Sequence, residues 1–146
     1  MSIVVSHHTF INEPHSKLYS RLISGDGWEK WFASEAIIGG QVGDEVSFQW
    51  ENFGADNYTA SDMGKIVSLN ENSLFAFTWH PGANETLVSL QFRSSKNGCF
   101  LSVEETGYSN TAEDLDVALK VASGWGEALT LLKMYVEHGI LYGNTD

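Results

Sequence analysis

The chain is poor in the residues that mark several large classes of protein. Cys99 is its only cysteine, so an internal disulfide is excluded and a reducing, cytoplasmic location is expected. It has 8 basic and 19 acidic residues, which gives a formal net charge of −11. Because that charge repels phosphate groups and anionic lipid headgroups, we expect no nucleic-acid partner and no docking on a membrane surface.

Long apolar runs are also missing. Nowhere do 18 apolar residues follow one another, so no membrane span is predicted. The opening "MSIVVSHHTF" lacks both the basic region and the long apolar region of a secretory signal. We therefore expect a protein that is neither secreted nor anchored by a helix.

Patterns of catalytic and metal-binding residues are absent from the sequence. The histidines form no HxH or HxxxH pair, and there is no G-x-S-x-G nucleophile motif. Cys99 follows a turn signal without an evident histidine partner. The sequence therefore predicts no metal site, no cofactor and no catalytic residue.

The chain is rich in apolar residues, which make up 42% of its 146 residues, and 12% of its residues are aromatic. That composition and length fit one packed domain, here residues 1–146, and no repeat or linker divides it. The first ten residues predict a strand. "NEPHSKLYSRLIS" and "DGWEKWF" then predict two short helices, the second with Asp26 as its cap.

From Glu35 onward the apolar pattern alternates with the period of a strand. "EVSFQWE", "GKIVSLNENSLFAFTW", "ETLVSLQF" and "CFLSVEE" predict antiparallel strands, with a hairpin signal at Asn97-Gly98. The polar stretch "NFGADNYTASDM" between two of them is expected to be a long hairpin loop or a mobile flap. About six strands in all are predicted.

A long helix is expected from about Thr111 to Gly139. Thr111 and Asp114 have the spacing of a capping box, and Gly139 is a typical stop. Seven apolar residues with helical spacing predict its buried stripe: Leu115, Leu119, Ala122, Trp125, Leu129, Leu132 and Val136. The aromatic face of the sheet is the large surface available to cover that stripe.

Four motifs, in this order, resemble the START-like helix-grip superfamily: "GWEKWF", "LFAFTW", "VEETGY" and "GWGEALTLLKMYVE". The most similar branch is that of the Hsp90-ATPase-activator-homologue domains. The resemblance implies an α+β fold in which a curved antiparallel sheet grips the long C-terminal helix, with a cavity between them. In relatives such cavities hold hydrophobic small molecules, whereas other relatives bind a chaperone.

Seven residues are candidates for the wall of that cavity. Trp50, Phe77, Trp79 and Trp125 are expected to face the space between sheet and helix, as does Leu129 of the helical stripe. Each of them is also a plausible core residue. His80, at a strand end before Pro81, and Glu105, on the apolar face of the last strand, are the candidate polar anchors.

Three functions follow as hypotheses. The first is non-catalytic binding of a hydrophobic small molecule. The second is a chaperone- or stress-linked interaction module, as the resemblance implies, with a homodimer through an exposed sheet edge as a related possibility. The third is a cyclase- or aromatase-like enzyme, which needs an acid or base such as His80 or Glu105 inside the cavity.

Two glycines flank Trp125 in the predicted long helix, although each costs about 0.5–1 kcal/mol relative to alanine. Gly124 and Gly126 either let strands approach the helix closely or leave room beside the indole. Close packing is the interpretation that we favour slightly over a notch for a ligand.

Overall fold

The computed structural model describes residues 2–143 of the chain. In this range it contains the following strands: β1 (Val5–Ile11), β2 (Glu35–Ile38), β3 (Glu45–Phe53), β4 (Tyr58–Asn70), β5 (Leu74–Trp79), β6 (Thr86–Ser95) and β7 (Gly98–Thr106). Its helices are α1 (His15–Leu22) and α2 (Ala112–His138), and a single 3₁₀ turn covers Gly25–Gly27. The α+β fold and its antiparallel sheet are as predicted, with seven strands rather than about six.

The seven strands form one antiparallel sheet in the order β1-β7-β6-β5-β4-β3-β2. Strands β2 to β7 are a meander, in which each strand pairs with the next along the chain. The first strand instead pairs with the last, Val5 opposite Glu105. The connection from β1 to β2 therefore crosses from one edge of the sheet to the other and carries α1 across it.

The sheet curves around α2, and irregularities in β4 accompany the bend. Register shifts interrupt the β3–β4 ladder between Trp50 and Phe53 and the β4–β5 ladder between Ile66 and Ser68. Gly64 lies so close to β5 that a Cβ atom there would stand 1.7 Å from the Thr78 carbonyl oxygen. Bulges and a close glycine contact are the usual means by which a strand bends.

Helix α2 begins and ends as its sequence predicts. The Thr111 hydroxyl accepts a hydrogen bond from the Asp114 amide at 3.1 Å, and Gly139 adopts the left-handed conformation at φ 68°. Its buried face is shifted relative to the prediction: Ala118 is buried, whereas Leu115 and Leu119 are exposed. The contacts of α2 differ along its length: Gly126 and Lys133 lie against His7 and Phe10 of β1, whereas Val117 in the first turns lies against Gly82 of the β5–β6 loop.

Two other local predictions differ from the structure, the first wholly and the second in part. Residues 26–32 do not form a second helix: after the 3₁₀ turn the chain continues in turns, held by the Trp28 indole N–H bonded to the Leu22 carbonyl. Asp26, the predicted cap, lies inside the 3₁₀ turn, and the Trp31 indole N–H also donates to the Gly27 carbonyl, so these contacts hold the segment in turns. The polar stretch 52–63 is a hairpin connection, one of the two expected alternatives, but its turn is short because the strands extend into the stretch: β3 ends at Phe53 and β4 begins at Tyr58.

The core lies between the concave face of the sheet, α1 and α2. Its largest fully buried side chains include Trp28, Trp31, Phe48, Phe75, Phe77, Leu90, Leu101 and Leu129. Among the described residues, neither helix has the length and apolar character needed to cross a membrane.

Candidate functional site

A cleft of about 810 Å³ opens between α2, the β3–β4 hairpin and the end of β5. Eight of its 22 lining residues are aromatic: Trp31, Phe32, Trp50, Phe53, Tyr58, Trp79, Trp125 and Tyr142. Val117, Val121, Ala128 and Leu131 of α2 add aliphatic surface. The volume and the lining are typical of a site for a small organic molecule.

The seven candidate residues divide into two groups in the structure. Trp50, Trp79, His80 and Trp125 line the cleft. Phe77, Leu129 and Glu105 lie in the fully packed interior, each with at most 1% of its surface exposed, and are not part of the cleft wall.

Glu105 accepts hydrogen bonds from two of the tryptophans that line the cleft. One carboxylate oxygen accepts from the Trp125 indole N–H at 2.9 Å, and the other accepts from the Trp79 indole N–H at 2.8 Å. The second oxygen also accepts from the hydroxyls of Thr86 at 2.6 Å and Tyr108 at 3.0 Å. An indole N–H can only donate, and four donors match the acceptor capacity of one carboxylate.

All four donors to Glu105 are neutral groups. Within residues 2–143 no lysine, arginine or histidine forms an ion pair with it. Burial raises the pKa of the Tyr108 hydroxyl, and the negative charge of Glu105 adds to the rise. The site is therefore a buried negative charge held by hydrogen bonds alone, an arrangement in which each bond is stronger than it is in water.

The rings around this carboxylate form a continuous aromatic layer. Phe32 lies 5.8 Å from Trp125 and 6.3 Å from Trp79 between ring centroids, and the two indoles are 5.7 Å apart. Trp50 extends the layer, with its ring 5.5 Å from Phe32 and its N–H bonded to the Phe32 carbonyl at 2.5 Å. The Trp31 N–H donates to the Gly27 carbonyl at 2.6 Å, so the N–H groups of all four cleft tryptophans are bonded to acceptors inside the protein.

Polar groups surround the mouth of the cleft. The amide of His80 donates to both carboxylate oxygens of Asp62, at 2.8 and 3.1 Å. The His80 ring lies with Nδ1 3.3 Å from the Met63 carbonyl and Nε2 3.6 Å from a Glu85 carboxylate oxygen. Burial raises the pKa of the Asp62 carboxyl, and the backbone N–H donors from His80 and Met63 oppose the rise.

The loop that carries His80 is fastened to the start of α2 by Asp114. The Asp114 carboxylate accepts hydrogen bonds from the Asn84 amide at 2.7 Å, the Ser109 hydroxyl at 2.8 Å and the Ser109 backbone N–H at 2.5 Å. The bond from the Ser109 hydroxyl is the main reason why the pKa of Asp114 is lowered. This anchor sets the position of one wall of the cleft.

Sequence reasoning missed the contribution of the segment after α2. The Tyr142 ring lines the cleft, packs edge-on against Phe53 at 5.6 Å, and accepts a hydrogen bond from the Ala55 amide at 3.4 Å. The Tyr142 amide donates to the Lys30 carbonyl at 3.0 Å. An aromatic residue shortly after the helix stop at Gly139 was the available signal.

The two glycines beside Trp125 have different surroundings. A Cβ atom on Gly124 would meet nothing within 4 Å, and Gly124 lines the cleft. A Cβ atom on Gly126 would make only ordinary contact with the His7 ring, at 3.8 Å. The expectation that strands pack closely against both glycines was therefore wrong, because open space lies beside Gly124.

Comparison with known proteins identifies relatives of the chain. The family model described as Activator of Hsp90 ATPase homolog 1-like protein matches residues 12–137. No curated protein matches the chain.

Several solved structures have the same fold. A protein from Staphylococcus saprophyticus is 22% identical, with a TM-score of 0.73 over 95% of each chain. The Aha1 dimer from Colwellia psychrerythraea is 20% identical, with a TM-score of 0.76 over 94% of this chain and 98% of that one. A protein from Mesorhizobium loti is 16% identical, with a TM-score of 0.78 over 95% and 100%.

Proposed function

The chain belongs to the activator of Hsp90 ATPase homolog 1-like family, and we propose that it binds a hydrophobic small molecule in the cleft between sheet and α2. The observation that carries this proposal is the cleft of about 810 Å³ with eight aromatic lining residues. Burial of a ligand against such surface contributes about 25 cal/mol per Å² of apolar area removed from water.

The binding is proposed to be non-catalytic. Glu105 is fully buried, lies outside the cleft wall and accepts hydrogen bonds from protein donors on both carboxylate oxygens, so it is not placed to take a proton from a ligand. His80 lies at the mouth with both ring nitrogens near protein oxygens. These contacts favour a binding role over the cyclase- or aromatase-like alternative.

An interaction role is the second candidate. The family description refers to activation of the Hsp90 ATPase, and the relative from Colwellia psychrerythraea is a dimer. Strand β2 lies at one edge of the sheet and exposes 57% of Ile37, although Glu29 and the turn at Gly25 cover part of that edge. The candidate partners are a second copy of the chain and a chaperone. Light scattering tests for the second copy, and capture on immobilised Hsp90 tests for the chaperone.

The ligand proposal is tested with a panel of neutral lipids and aromatic compounds. Ligands are expected to raise the melting temperature by mass action and to quench tryptophan fluorescence. Gly124→Leu should abolish both responses because it fills the open space beside Trp125. Thr130→Leu, on an exposed part of the same helix, should leave them unchanged. A panel that produces neither response with the natural chain would refute the proposal.

A further inference from the structure

Most of the charged residues that line the cleft are acidic. Asp56, Asp62 and Glu127 line it, against one lysine, Lys120. The Lys120 side chain is 78% exposed and pairs with Asp116 at 3.0 Å on the same helix. The surroundings of a bound ligand are therefore acidic, in a chain whose net charge is already −11.

The floor of the cleft adds to this negative potential. Glu105 lies behind Trp79 and Trp125 and is bonded to both indole nitrogens. Its charge contributes to the raised pKa of Asp62, a residue of the cleft wall, so its field reaches that wall. A carboxylate bonded to an indole N–H also polarises the ring and increases the electron density of its π system.

The tryptophan rings of the cleft present their carbon atoms to a ligand, and their N–H groups are not available to it. The N–H groups of Trp50, Trp79 and Trp125 are each taken by a protein acceptor. An anionic ligand would therefore find none of these donors, whereas an ammonium group is attracted by electron-rich rings. Tyr58, with 52% of its surface exposed and its ring 5.6 Å from Trp50, extends the aromatic surface to the mouth.

We infer that the ligand of this cleft is an organic cation, namely an ammonium group carried on an apolar body. This inference rests on the proposed function and defines its ligand class. The apolar body occupies the aromatic interior, and the cationic group lies between the rings and the carboxylates of Asp56, Asp62 and Glu127. The negative field of the whole chain also speeds the encounter with a cation.

The test compares three probes of similar size by isothermal titration calorimetry. They are (3-hydroxyphenyl)trimethylammonium, its uncharged isostere 3-tert-butylphenol, and the anion 3-hydroxybenzoate. The ammonium is expected to bind about tenfold more tightly than the phenol, and the benzoate not measurably. Tryptophan indole N–H signals in NMR spectra should move with the ammonium, because it occupies the cleft.

Two double variants with the same net charge distinguish the effect of the cleft carboxylates from the effect of the overall charge of the chain. Asp56→Asn with Glu127→Gln should weaken the ammonium about three- to fivefold and leave the phenol unchanged. Glu45→Gln with Glu104→Gln removes two exposed carboxylates outside the cleft and should leave both affinities unchanged.

Each other outcome has a distinct meaning. If the phenol binds as tightly as the ammonium, or the benzoate binds best, the cation inference is overturned while the proposed hydrophobic binding stands. Ammonium binding that the cleft variant does not weaken overturns the inference as well. If none of the three probes binds, the cation inference is overturned, and the proposed function is rejected only if the panel of neutral lipids and aromatic compounds also produces no response.

Discussion

Phe77 and Trp79 lie two residues apart on one face of β5, yet they belong to different environments. Phe77 is fully buried among Phe48, Phe75 and Trp28, with ring centroids 5.3–6.3 Å away. Trp79 lines the cleft and donates its N–H to Glu105. One strand thus carries a packed end and a cleft end.

The difference shows how this fold keeps space open inside an aromatic core. At the packed end, the rings of Phe48, Phe75 and Phe77 carry no polar atom and fill the volume through carbon contacts. At the cleft end, the indoles of Trp79 and Trp125 are held by directional hydrogen bonds to a shared carboxylate. Such bonds fix the ring positions and prevent the rings from collapsing into the cavity.

The largest expected effect lies at the packed end. Phe77→Ala should lower the free energy of unfolding by about 3–5 kcal/mol, since it removes a fully buried ring and leaves a cavity. Chemical denaturation measures this change. Val121→Ala, at a half-buried residue that lines the cleft, should cost less than about 1 kcal/mol because space already adjoins it. Equal losses at the two sites would contradict the comparison.

Removing the charge that holds the indoles should have the next largest effect. Glu105→Gln places an amide NH₂ against groups that can only donate, so we expect a loss of about 1–3 kcal/mol and displaced indole signals of Trp79 and Trp125 in NMR spectra. Glu104→Gln is the matched control on the exposed face of β7 and should change stability by less than about 0.5 kcal/mol. Unmoved indole signals in Glu105→Gln would show that Glu105 does not position the rings.

The stabilisation that Asp114 contributes at the cleft wall should depend on pH. The pKa of Asp114 in the folded protein lies below its ordinary value of 3.8. The ionised carboxylate is therefore stabilised more in the folded state than in the unfolded state. Its stabilising contribution is complete well above pH 3.8 and is lost as the pH falls through the folded pKa. Denaturation curves of the natural chain and Asp114→Asn should therefore differ at pH 6 and converge as the pH is lowered below 3.8. A constant difference across that range would exclude this role.

The two glycines beside Trp125 give the smallest and most selective effect. Gly124→Ala and Gly126→Ala should each raise the free energy of unfolding by about 0.5–1 kcal/mol, because alanine favours the helix and neither methyl meets a clash. Gly124→Ala alone should weaken ligand binding, since only its methyl enters the cleft. Thermal denaturation and titration with the tightest probe measure both changes. Destabilisation by Gly124→Ala would mean that the space beside it is already filled.

Much of the framework was predictable from the sequence because local patterns carry it. Val46, Phe48 and Trp50 alternate at the period of a strand and are all buried on one face of β3. Thr111 and Gly139 define the ends of α2 through local capping contacts. The parity of β7 also placed Glu105 on the inner face, where it is fully buried.

The cleft depended on contacts between distant segments, which no local pattern encodes. Glu105 receives its four donors from β5, β6, the loop before α2 and α2 itself, at separations of up to 26 residues. Leu115 and Leu119 fit a helical stripe but are exposed, because distant segments decide which side of α2 is covered: β1 lies against its middle and end, and the loop at Gly82 lies against its first turns. Sequence periodicity determined which residues could face inward. Only the tertiary structure decided where the interior closes into core and where it stays open beside Gly124.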